Sequence, residues 1–201
     1  MIYHLIINIF FIFINIIFNT ISSYYNTYKA ETIMNKPYNP LIDIIQDNII
    51  KTYIHLPDYL LGIVCISTFI KLYIYNCNLY NLYLNLYSLN LSLLLRSVTI
   101  TVTILPSCIP ISFNNKKKNI YEKLFNSSHD LIFSGHTIVF TFLSKLLIDN
   151  SNNYVIYIGN IIQYLFPITL ITSRQHYTID VLIAMIIYRF FMFNVEYYNF
   201  I

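Results

Sequence analysis

The sequence predicts an all-α integral membrane protein, a bundle of six helices that cross the bilayer as one domain over residues 1–201. Three observations carry that expectation. Hydrophobic residues make up 57% of the chain and charged residues 10%, and the mean hydropathy is +0.58; this balance suits lipid rather than water as solvent. Six apolar stretches fall near residues 3–18, 59–75, 89–105, 131–148, 154–173 and 179–193, each close to the roughly 20 residues that a helix needs to cross hydrocarbon. The segments between them are polar, and their backbone groups cannot sit where no water is present to satisfy them.

The first stretch is read as a retained span. Met1-Ile2-Tyr3-His4 lacks the Lys or Arg of a signal peptide, and no small-residue cleavage pattern follows. A polar connection then leads to Leu56-Pro57-Asp58 at the start of the second stretch. The second and third stretches are joined by a Tyr- and Asn-rich segment, residues 77–90, whose boundaries are poorly defined. The third holds Arg96 near its centre and ends at Pro106. A long polar connection carries Lys116, Lys117, Lys118 and Lys123, and the fourth stretch then opens on Ser134-Gly135-His136-Thr137 behind Asp130. A polar turn, Asp149-Asn150-Ser151-Asn152-Asn153, leads into the fifth. Arg174-Gln175-His176-Tyr177-Thr178-Ile179-Asp180 introduces the sixth. No period of about 20–50 residues recurs, so this is not a repeat architecture.

Other classes recede on composition. The net charge of +3 is small and no basic face is interleaved with aromatics, so no nucleic-acid partner is expected. Cys65, Cys77 and Cys108 lack metal-ligand spacing and read as packing residues, and no metal or other cofactor is expected. Asn, Ile and Tyr are abundant, Gly numbers 3 and Trp is absent. That bias reads as drift under AT-rich coding, so the asparagines need carry no polar function. It gives more weight to Gly135, Arg96 and Arg174.

Ionisable groups within or at the rim of a span are costly, which makes them functional candidates. His136 is expected about one turn inside the fourth span, where a histidine bonded between helices is an equal alternative. Gly135 beside it leaves room for a bulky anion to approach the backbone. If the last helix begins by His176, His176 and Asp180 share one face, and the carboxylate can orient the imidazole. An Asp near the helix dipole with an interfacial His is the equal alternative. Guanidinium forks onto phosphate, which recommends Arg96 and Arg174. Asp58 serves as a helix cap or in the site. Alternating spans bring Asp58, Pro106, His136, His176 and Asp180 to one membrane face.

At these residues the sequence resembles the sphingomyelin synthase family, a membrane branch of the lipid phosphate phosphatase superfamily. Leu56-Pro57-Asp58 is similar to the family's Pro-Leu-Pro-Asp element. The run from Arg96 through Val98-Thr99 to Leu105-Pro106-Ser107-Cys108-Ile109-Pro110 resembles its third-span motif. Asp130-Leu131-Ile132-Phe133-Ser134-Gly135-His136-Thr137 and His176-Tyr177-Thr178-Ile179-Asp180-Val181 are similar to its two catalytic motifs. The resemblance implies a six-span enzyme that moves phosphocholine from phosphatidylcholine, or a related head group from another glycerophospholipid, to ceramide, releasing diacylglycerol. By the same resemblance His176 is the nucleophile, Asp180 activates it and His136 shuttles the proton. Arg96, Arg174, Asp130, Ser134, Gly135 and Asp58 would hold substrate.

The chain departs from the family pattern in three places. Paired arginines are missing upstream in the third-span motif, Ser128-His129 replaces Cys-Gly, and Arg174-Gln175 stands where an acidic residue is common. These positions bear on the head group, so ceramide phosphoethanolamine and inositol phosphorylceramide synthesis stay open. Orientation has two readings. The lysine-rich loop, and the histidines that share its face, would be cytoplasmic by the positive-inside bias. The family implies a lumenal or exoplasmic site in Golgi, plasma membrane or endoplasmic reticulum, and that reading is followed; Asn126-Ser127-Ser128 is then a lumen-side sequon. The rival activities are a lipid phosphate phosphatase, disfavoured because no Arg-Pro pair occurs, a transporter, disfavoured because no repeats or broken helices occur, and an inactive scaffold.

Overall fold

The computed structural model describes residues 2–33, 40–74, 78–106, 108, 133–149 and 151–198. Asp130, Cys77, the four loop lysines and the Asn126 sequon lie outside them. The described residues form seven helices and no strand: α1 (Ile2–Ile33), α2 (Ile44–Asn48), α3 (Leu56–Ile74), α4 (Leu79–Val102), α5 (Gly135–Ile148), α6 (Asn153–Thr172) and α7 (Thr178–Tyr198). The fold is all-α. Ile2–Ala30 of α1, all of α3 and α6, and Thr178–Tyr197 of α7 are long and apolar enough to cross a membrane. These apolar helices fit a multi-pass membrane protein.

Each expected stretch overlaps a helix, but the helices of the third and fourth, α4 and α5, are not among the four long and apolar enough to cross a membrane. α4 begins at Leu79, so the supposed connector over residues 77–90 is helical from Leu79 onward. Asn78 caps it by accepting the Tyr80 N–H, and Asn85, buried inside it, bonds Asn81 O, the Asp149 carboxylate and the Tyr188 hydroxyl. A polar run stays helical when its side chains find partners. α5 has 14 residues, about 21 Å at 1.5 Å per residue, well short of the roughly 30 Å hydrocarbon core. It starts at Gly135 because the Ser134 hydroxyl accepts the Thr137 N–H and ends the extended chain there. His136 is therefore the second residue of α5, not one turn inside it.

α4 and α5 form the centre. α4 packs on α1, α5 and α7, and α5 packs on α3, α4, α6 and α7. Phe133, Ile138, Phe140, Phe166, Leu170, Val181 and Ala184 are closed off between them, and Phe140 stacks on Phe166 with ring centres 3.7 Å apart. The far end of α5 is capped by Lys71, whose ammonium donates to the carbonyls of Leu146, Leu147 and Asp149.

The α1–α4 seam corrects the compositional reading of asparagine. Asn8, Asn15, Asn19 and Asn26 recur along one face of α1 and are all buried. Asn90 donates to Asn8 Oδ1 at 3.0 Å and accepts from Asn15 at 3.0 Å. Asn19 donates to Leu93 O at 2.9 Å, and Asn26 to Thr103 O at 2.8 Å. Between membrane helices such bonds replace the missing hydrophobic drive, at about 0.6 kcal/mol each. These asparagines hold two helices together.

Candidate active site

Four of the singled-out side chains meet at one end of the bundle. Asp58 stands in the first turn of α3, His136 in the first turn of α5, and His176 and Asp180 flank the start of α7. The two imidazoles lie edge to face with ring centres 5.9 Å apart. Each has a carboxylate neighbour. His136 Nε2 is 3.4 Å from Asp58 Oδ1, and His176 Nδ1 is 3.9 Å from Asp180 Oδ2. The first pair is open, with side chains 41% and 44% exposed, whereas the second is enclosed at 7% and 1%.

The helix expected to begin by His176 begins at Thr178 instead, so His176 lies in the turn before it. That turn follows from how α6 ends. The Arg174 N–H bonds Ile171 O at 3.1 Å and the Gln175 N–H bonds Leu170 O at 3.3 Å. This is the paired Schellman closure, whose αL position normally falls to glycine. Here Arg174 fills it with φ of 60°, the one non-glycine positive φ among the described residues. An L-residue there costs roughly 1–2 kcal/mol, and the Nε of Arg174 is buried without a hydrogen-bond partner. One guanidinium donor is thus left unpaired on a strained residue two positions from His176.

Asp180 has a second task. Its Oδ2 accepts the Tyr177 N–H at 3.1 Å, reaching back from the third helical position to the cap as in half of a capping box. Its backbone carbonyl receives the Ser134 N–H at 3.4 Å, which ties the start of α5 to that of α7. The helix-start reading of Asp180 is thus met directly, while its Oδ2 lies 3.9 Å from His176 Nδ1, an approach longer than a hydrogen bond.

Arg96 is buried below the site. Its Nε donates to Phe133 O at 2.8 Å and its Nη1 to Asn19 Oδ1 at 2.6 Å. A Cβ on Gly135 would lie 3.2 Å from Arg96 Nε, so the glycine admits this guanidinium against the first turn of α5. Its bareness serves a close approach from the protein side. Ser134 is fully buried as the cap of α5. Gln175 donates to Ile54 O at 2.7 Å and lies 3.4 Å from Asp58, completing the rim. Cys108, buried with Tyr177, has its thiol pushed far up by burial and then by the Asp180 and Asp43 carboxylates, which keeps it protonated.

Sequence reasoning missed the segment over residues 40–55, read only as a connector. Asp43 accepts the Thr178 N–H at 2.6 Å and its hydroxyl at 2.9 Å, while Gln46 donates to Ile171 O and His176 O at 3.1 and 3.0 Å. Burial alone would raise the Asp43 pKa, but hydrogen bonds from Gln46, Thr178 and Ile45 outweigh it and hold the carboxyl below its usual value of 3.8. The spacing Asp43-x-x-Gln46 is a helix-start signature that marks α2. No local pattern says that α2 docks on a turn some 130 positions away.

No curated protein matches the chain. Residues 128–198 match the sequence model of a family described as PAP2 superfamily C-terminal. That segment contains His136, His176 and Asp180 with the helical hairpin between them, and the match supports the lipid phosphate phosphatase superfamily, whose members transfer or hydrolyse phosphoryl groups of lipid phosphates.

Proposed function

We propose that the protein is a six-span membrane phosphotransferase of the sphingomyelin synthase kind, moving phosphocholine from phosphatidylcholine to ceramide through a histidine intermediate. The observation that carries this reading is the enclosed His176–Asp180 pair facing the open His136–Asp58 pair, with ring centres 5.9 Å apart. In the first half-reaction His176 Nε2 attacks phosphorus, the bond from phosphorus to the diacylglycerol oxygen breaks, and His136 gives that oxygen its proton. In the second, His136 takes the proton of the ceramide hydroxyl, its oxygen attacks phosphorus, and the phosphorus–nitrogen bond breaks. The same group serves as acid and then as base. Asp180, 3.9 Å from Nδ1 in the free protein, would close on it to orient the His176 ring as the cation forms, and Asp58 would steady His136.

Arg174, strained and with its Nε unpartnered, supplies a guanidinium to the phosphate oxygens. Arg96 and the N-terminus of α5 add positive potential beneath it. Ser134 and Gly135 shape that turn, and Asp130 is assigned to substrate by resemblance alone. The site faces the lumen or exterior in this reading. The superfamily match serves water as acceptor equally well, and the exposure of His136 admits it, so hydrolysis is the second reading.

Purified protein in phosphatidylcholine vesicles is expected to convert labelled ceramide to a phosphosphingolipid. Parallel vesicles with ethanolamine and inositol donors read the head group, and phosphatidic acid with phosphate release reads hydrolysis. No phosphosphingolipid from any donor would overturn the transferase reading.

A further inference from the structure

His176 lies in the turn between α6 and α7, and neither helix alone fixes it. The turn over residues 173–177 is neither helix nor strand, and a nucleophile displaced by about 1 Å loses about 100-fold in rate. What fixes the turn comes from the other side of the molecule in sequence. Asp43 takes the first N–H of α7 and the Thr178 hydroxyl while also taking the Ile45 and Gln46 N–H groups of its own helix. Gln46, buried, spans two carbonyls with one amide, those of Ile171 before the turn and His176 within it. Around them, Thr52 bonds Thr172 through both backbone and hydroxyl, at 3.0 and 2.9 Å. The Tyr177 hydroxyl is pinned between the Leu41 N–H and Pro106 O, at 2.9 and 3.1 Å.

We infer that residues 40–55 form a clamp that positions His176, with Asp43 and Gln46 as its positioning residues. Their hydrogen bonds go to backbone groups and to the Thr178 hydroxyl, so both are positioning residues rather than catalytic ones. They act through the backbone on both sides of the nucleophile. Gln46 fixes the His176 carbonyl, Asp43 fixes the amide two residues later, and the ring between is left one orientation toward Asp180. The amide is suited to Gln46 because two carbonyls need two donors, and the carboxylate to Asp43 because four donors need an acceptor-only group. Each bond of this kind to a charged group contributes more than a neutral one.

The clamp rests on the proposed role of His176, and its test is read both with and without turnover. Asp43→Asn and Gln46→Leu, in lipid nanodiscs, are expected to lower kcat by about 100-fold while KM changes by less than about twofold, because the group displaced is not a substrate contact. Mass spectrometry after diethylpyrocarbonate treatment gives the second readout. His176, buried, should be slow to react in the parent and at least about fivefold faster in both variants, through local opening of the turn, with His136 unchanged. Variants that fold, as judged by thermal midpoint, and keep parent kcat and parent protection of His176 overturn the clamp. Should both variants fail to fold, Thr178→Val removes only the hydroxyl that Asp43 accepts and decides between the same two results. If the parent transfers no lipid phosphate at all, the functional reading falls, and the protection of His176 still tests the clamp.

Discussion

The two histidine–aspartate pairs use the same residue types in opposite surroundings. His136 and Asp58 come from helices far apart in sequence and are both over two-fifths exposed, whereas His176 and Asp180 lie four residues apart and are enclosed. A group that must exchange protons with two alcohols in turn needs an open setting. A group that must hold one covalent geometry needs a fixed and dry one. The investment in structure follows that division. Asp43, Gln46, Thr52 and Tyr177 converge on the enclosed turn, while His136 is held by the first turn of α5, by Asp58 and by the Arg96-backed cap.

The sharpest way to break this comparison is to remove each imidazole and vary the leaving group. His176→Ala should abolish transfer from any donor, a loss of at least about 10,000-fold. His136→Ala should cost about 1,000-fold with phosphatidylcholine. With 4-nitrophenyl phosphocholine, whose departing phenolate needs no proton, His136→Ala should recover much of the first half-reaction and His176→Ala none. Equal recovery in both would erase the division of labour. The carboxylates should separate in the same way. Asp180→Asn should cost about 1,000-fold or more, as loss of an orienting carboxylate does in a catalytic triad, and Asp58→Asn about tenfold, since water can stand in at an exposed pair. Steady-state kinetics on the two variants checks the order.

The smallest effect is on stability, in its dependence on pH through Asp43. The folded carboxyl of Asp43 titrates below its ordinary value of 3.8, so its bonds stabilise the folded state fully above that value and are lost as pH falls through the lowered one. The gap in thermal midpoint between parent and Asp43→Asn should therefore stay constant from about pH 8 to 5 and close only below the ordinary carboxylate range. A gap that closes near neutrality would point to a histidine and away from Asp43.

Most of the all-α plan was legible in the sequence because burial in lipid imposes apolar runs of helical length, and the residues at the candidate site stood out because charge is rare in such runs. Asp58, His136, His176 and Asp180 could be placed on one face by the alternation of spans alone. What escaped was tertiary. The asparagines looked like coding drift, since nothing local reveals that Asn8, Asn15 and Asn90 bond one another. Gly135 looked like room for a ligand, since Arg96 beneath it is 39 positions away in sequence. The Asp43 and Gln46 clamp was read as a connector, since its partners belong to a turn near the other end of the chain.

The central claim is that phosphorus is carried on the enclosed histidine. Protein incubated with phosphatidylcholine labelled in phosphorus and no ceramide, quenched in base where phosphohistidine survives, then digested and weighed, reads this directly. A phosphocholine adduct is expected on the peptide containing His176, discharged on adding ceramide, and absent from His176→Ala. Label on the His136 peptide, or turnover of ceramide with no adduct at His176, would contradict it.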